Sequence, residues 1–141
     1  MLVNQRHVRS VGSAAVVAAV AAAFVASAGF ARVANNTIDP IAIVSDDGRH
    51  LVVTGPFECT DGETLHLRVT VTQRSTGAVA EGRTIDTCTG GAQQWEVDAS
   101  SRGAEPFEEG PATAVGVGRT TDHGETTDAH QWLVEITLVA E

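Results

Sequence analysis

The sequence has no lysine and no tyrosine, and its aromatics are four Phe and two Trp in 141 residues. With so few rings, a core must be built from Val, Leu, Ile and Ala. Without lysine, nine Arg supply the fixed positive charge against 18 Asp and Glu, for a formal net charge of −9. Arg6 and Arg9 precede every acid, so the chain beyond residue 28 holds seven Arg against 18 acids, or −11. A surface this negative repels phosphate backbones and anionic lipid heads, which excludes nucleic acid as a partner. It favours solubility outside the cell. Catalytic motifs are missing too. There is no Cys-x-x-Cys, and none of Ser45, Ser75, Ser100 and Ser101 lies in Gly-x-Ser-x-Gly. The chain reads as a non-enzyme.

What is present begins with an export signal. Met1–Arg9 carries Arg6, His7 and Arg9 as a short positive region. Ser10–Ala31 holds no charge, and Val16–Val25 within it is an apolar core. Ala26-Ser27-Ala28 places small residues at the −3 and −1 positions of a cleavage site. Residues 1–28 are therefore predicted to be a secretory signal peptide, 29–37 a flexible leader and 38–141 one domain. The uncharged run reaches the roughly 20 residues that span a bilayer, so an uncleaved N-terminal anchor is the alternative. After cleavage nothing would hold the chain to a membrane. No Cys near the cleavage point offers a lipid attachment, and no Arg-Arg pair marks the twin-arginine route. The predicted location is secreted or extracellular.

Cys59 and Cys88 are the only cysteines. In an exported chain an even pair is most simply one disulfide. Closing a loop of about 30 residues is worth roughly 3.5 kcal/mol in the chain-entropy model.

From Ile38 the hydrophobic period is two, not 3.6. Strands are expected over Ile38–Ser45, His50–Thr54, Leu65–Thr72, Ala78–Asp86, Gln93–Ala99, Ala112–Arg119 and His130–Ala140. Asp46-Asp47-Gly48, Asp61-Gly62 and Ser75-Thr76-Gly77 mark turns. The second strand is read as ending at Gly55-Pro56, with Phe57-Glu58-Cys59 continuing or re-aiming it, because Pro is barred from a central ladder. Thr120–Asp128 is read as a polar loop. About seven short strands without a helix predict an all-β antiparallel two-sheet sandwich of immunoglobulin-like architecture. Trp95 follows the second Cys, so the Cys–Trp–Cys order of antibody domains is absent.

The order Gly55-Pro56-x-x-Cys59, Val69-x-Val71-x-Gln73, Cys88-Thr89-Gly90 with Trp95, then Pro106-Phe107 and Gly110-x-Ala112 resembles a family of small secreted actinobacterial proteins. That family is known mainly as a domain of unknown function. The resemblance covers roughly Ile38 to Leu138 and implies export and a β-sandwich, but no activity. In size, acidity and Ala/Gly/Thr-rich strands the chain is also similar to the neocarzinostatin-type carriers, which hold an apolar chromophore in a sandwich cleft. Those usually have two disulfides, whereas this chain has cysteines for one.

The densest set of chemistry-bearing residues is Asp122, His123, Glu125, Asp128 and His130. Oxygen and imidazole donors in one loop are candidate metal ligands. Their spacing matches neither an EF-hand nor a helical zinc motif, and a solvated loop is the plainer reading. Asp46-Asp47 and Glu108-Glu109 are paired carboxylates in turns, where adjacent acids point apart into water. His66 beside Arg68 reads as a surface histidine. Trp95 and Trp132 fall at inward parity and Phe107 reads as a plug over the core edge, so all three are candidate liners of a ligand cleft. No cofactor is expected. The predicted role is a secreted, non-enzymatic extracellular or cell-envelope binding module, its partner an extracellular protein or a small apolar ligand. The alternative is a carrier for a small apolar ligand, and the third reading is a hydrolase or metal-dependent enzyme.

Overall fold

A computed structural model describes residues 37–141 together with Val33–Ala34; the expected signal peptide lies outside the described residues. The strands are β1 (Val33–Ala34), β2 (Ile41–Val44), β3 (His50–Cys59), β4 (Thr64–Gln73), β5 (Ala78–Thr87), β6 (Gln93–Ser101), β7 (Gly110–Asp122) and β8 (Glu125–Ala140). No helix occurs among the described residues.

The two-sheet sandwich is not what forms. β2 to β8 make one sheet in the order β3-β2-β8-β7-β4-β5-β6, and β6 pairs back onto β3 from His50↔Ser100 to Phe57↔Gln93. The molecule is a closed seven-stranded barrel. Nor is it wholly antiparallel: β2 runs parallel to β8, from Ile41↔Thr137 to Val44↔Ala140. A sandwich and a barrel both bury every second side chain along each strand. The period of two therefore cannot tell them apart; the β3–β6 and β2–β8 pairings decide it.

The inner face is aliphatic, as the composition requires. Leu51 and Val53, then Leu65, Leu67, Val69 and Val71, then Val97 and Ala99 are each at most 3% exposed. Small residues offset the large ones. Ala112, Ala114, Gly116 and Gly118 give β7 a shallow inner face, and the Trp132 indole of β8 lies over the two glycines. A Cβ on Gly116 would come within 2.9 Å of that ring, and one on Gly118 within 2.8 Å.

Of the two courses open after Gly55-Pro56 the chain takes the first: β3 continues to Cys59. β2 pairs with β3 only at Leu51 and Val52, and β1 only at Glu58 and Cys59. Pro56 falls between them, where no described residue of β1 or β2 pairs with it, so its missing N–H costs no ladder bond among the described residues. There the Asp39 N–H donates to the Thr54 carbonyl at 2.9 Å. The expected Thr120–Asp128 loop is the tip of a hairpin made by β7 and β8. His123 and Gly124 form its turn with φ of 47° and 84°, the left-handed pair that matches strand twist.

Cys59 and Cys88 are disulfide-bonded, with Cα atoms 5.4 Å apart. A structural disulfide fits an oxidising compartment. Among the described residues no helix is long and apolar enough to cross a membrane. Phe107 is 3% exposed, and its N–H donates to the Gly48 carbonyl at 2.9 Å. Buried Gln73 holds the same loop: its side-chain amide donates to the Glu108 carbonyl at 2.8 Å and accepts from the Glu108 N–H at 2.9 Å.

Candidate binding face

The three cleft candidates do not share a cleft. Trp95 is 2% exposed, packed across the sheet from Gly55, and Phe107 is sealed under its loop. Trp132 is half-buried and stacks on His130, with ring centroids 6.1 Å apart. A closed barrel has no space between two sheets, so the sandwich cleft expected for them does not exist.

The five metal candidates separate into two pairs. At the exposed hairpin tip, His123 Nδ1 is 2.8 Å from Asp122 Oδ1. Lower on β8, His130 Nε2 is 3.6 Å from Asp128 Oδ2. Glu125 joins neither. Among the described residues no three His, Cys, Asp or Glu side chains gather in a way that would hold a metal ion. Of the paired carboxylates, Asp47 has a structural task. Its Oδ1 accepts from the Ser45 hydroxyl at 2.6 Å and from the Arg49 N–H at 2.9 Å. The Ser45 bond first, then the Arg49 N–H, holds its carboxyl below the usual range.

The register assembles something else on the outer face of β5, β4, β7 and β8. One row across these strands reads Ile85, His66, Arg119, Ala129. The next reads Arg83, Arg68, Val117, Gln131. Directly opposed residues on neighbouring strands have Cβ atoms about 5 Å apart, and rows two residues apart are about 7 Å from one another. The basic side chains thus form a diagonal, Arg83–Arg68–His66–Arg119, with Ile85 and Val117 at the free corners. These eight positions hold no acid. They carry three of the six Arg found in residues 37–141 of a chain whose net charge is −9.

The diagonal lies in a groove of about 460 Å³. Ile85 at its rim is 67% exposed and Val117 40%. His66 is anchored, with Nε2 3.0 Å from Thr121 Oγ1. Arg83 reaches Glu81 at 3.5 Å, but that carboxylate is held more closely by Arg102 at 2.8 Å. Neither Arg68 nor Arg119 has an ion pair among the described residues; Arg119 has only Thr126 Oγ1 at 3.5 Å. Sequence alternation already places His66 and Arg68 outward. Only the register brings Arg83 and Arg119 beside them.

One edge of this face is open. β5 pairs with β6 only at Ala80↔Ser101 and Glu81↔Ser100. From Gly82 to Thr87 it pairs with β4 alone. At Gly82 β5 still lies against β6: a Cβ there would meet the Asp98 carbonyl and, at 2.5 Å, a Val97 methyl.

No protein-family model matches the chain, and no curated protein does.

Proposed function

We propose that this protein is an exported, non-enzymatic binding module that works through the outer groove of β5, β4, β7 and β8. The groove itself carries the reading: exposed Ile85 and Val117 sit beside unpaired cationic side chains at the open edge of β5. Its volume suits a drug-sized ligand or a few residues of a partner, and a rigid sheet holds its shape. The disulfide, the uncharged Ser10–Ala31 run and the acidic, lysine-free domain support export.

The test is a thermal-shift screen of the purified protein against small metabolites and extracellular polymers, repeated with the double variant Ile85→Ser/Val117→Ser. Hits should stabilise the native protein and lose most of that effect in the variant. Stabilisation indifferent to the variant would place binding elsewhere. Turnover of any hit would overturn the non-enzymatic reading.

A second reading, carriage of a small apolar ligand, is favoured by half-buried Trp132 at the end of the barrel where β5 and β6 have parted. Such a ligand should shift Trp132 emission and leave the outer-groove variant's affinity unchanged.

A further inference from the structure

We infer that the ligand of the outer groove is a small soluble phosphate monoester with an apolar substituent, its phosphoryl group held by Arg68 and Arg119 and its substituent lying on Ile85 and Val117. This rests on the groove being the binding site. Opposed like charges on neighbouring strands destabilise a sheet. Here the register opposes Arg68 to Arg83 and sets Arg119 diagonally from Arg68. The chain has acids to spare, yet none lies in these two rows. A bound anion would relieve that repulsion, and local rules are most often broken at functional sites.

The charge of the anion follows from the same arrangement. One carboxylate satisfies one guanidinium by a bidentate pair. A phosphate dianion offers three terminal oxygens and can bridge two guanidiniums while also accepting from an imidazole N–H. The distribution of charge selects the size of the ligand. Beyond about one Debye length, roughly 10 Å, the rest of the acidic surface repels an extended polyanion or an anionic membrane. A small dianion inside the groove meets mainly the three arginines.

Titration calorimetry of the purified protein at an ionic strength of about 0.1 M would use phenyl phosphate, inorganic phosphate, benzoate and vesicles of an anionic phospholipid. Phenyl phosphate should bind at least about tenfold more tightly than benzoate, as charge-assisted bonds to a second guanidinium require. Inorganic phosphate should bind at the same site but more weakly. Vesicles should not bind. Arg68→Ala and Arg119→Ala should each weaken phenyl phosphate about tenfold or more, whereas Arg74→Ala outside the groove should not. Folding is checked on the same variants: removing one member of an opposed or diagonal pair should leave the thermal midpoint unchanged or raise it. Equal affinity for benzoate, binding to vesicles but not to phenyl phosphate, or binding insensitive to both arginine variants would each overturn the inference. Should the screen above find other ligands that depend on Ile85 and Val117, the binding-module reading would stand without it.

Discussion

Trp95 and Trp132 each lie across the sheet from glycine, Trp95 from Gly55 and Trp132 from Gly116, yet Trp95 is 2% exposed and Trp132 only half-buried. The seat is the same in both: a missing Cβ lets an indole lie flat on its neighbour's backbone. The surroundings differ. Trp95 belongs to the long β3–β6 ladder, and residue 37 crosses over Gly55 so closely that a Cβ would collide with the Thr37 carbonyl. Trp132 shares a row with Gly116, Val69 and Gly82. That row is where β5 leaves β6. One more row along, Thr84 and His130 already face an unpaired side of the wall. A barrel need not be uniform in stability: Trp95 lies in a paired ladder with residue 37 over it, whereas Trp132 lies on a stretch of β8 that among the described residues pairs with β7 alone.

The comparison can be broken by substitution. Trp95→Ala should cost about 3–5 kcal/mol, the range for a fully buried aromatic, and Trp132→Ala about half of that. Guanidinium unfolding followed by circular dichroism would measure both, since each variant loses half of the indole signal. Equal losses would mean that the two surroundings hold an indole equally well. The glycine seats should rank in the same order. Gly55→Ala forces a methyl against a backbone carbonyl and the Trp95 ring and should cost about 3 kcal/mol. Gly116→Ala meets only the edge of an indole that can move, and should cost about 1 kcal/mol.

A gentler probe sharpens the contrast without disturbing the fold. In Trp95→Phe only Trp132 emits; acrylamide should quench it readily and its emission should lie to the red. In Trp132→Phe the remaining Trp95 should emit to the blue and resist quencher. Identical quenching constants would remove the distinction between the two indoles. The smallest expected effect lies in the turn after β2. Because the Asp47 carboxyl is held below the usual range when folded, its ionised form contributes stability above that range, and the contribution is lost as pH falls through the folded value. Asp47→Asn should therefore lose stability slightly at neutral pH and show a shallower decline on acidification. A decline identical to that of the native protein would mean that the Ser45 and Arg49 bonds contribute nothing.

Much of the fold is legible in the residues. Leu65 to Val71 alternating with His66 to Thr72 announces β4 and its two faces, and Gly48, Gly62 and Gly77 mark turns that all have positive φ. Phe107 lies where a plug is expected, and the two cysteines pair. What the sequence withholds is which strands lie side by side. Alternation is a property of one strand; closure into a barrel is a property of β2 with β8 and of β3 with β6, pairs far apart in the chain. Pro56 leaves two courses open because its cost depends on the neighbouring strand, and among the described residues neither β1 nor β2 pairs with it. His123-Gly124 is a hairpin turn hidden among polar residues that resemble a loop. The basic diagonal is withheld for the same reason as the closure. His66 and Arg68 are visible as outward neighbours, but Arg83 and Arg119 join them only through register, and a net charge of −9 suggests the opposite of a cationic groove.

The parallel pairing of β2 with β8 also has a consequence in time. The four residues that close the barrel on one side, Ile41–Val44, are among the first of the domain to be synthesised, and their partners, Thr137–Ala140, are the last. A growing chain of this topology can form the β4–β5 hairpin early but has no closed barrel until its final strand is made. It stays open and threadable throughout synthesis, and the step that completes it is a long-range contact of the kind that makes folding slow.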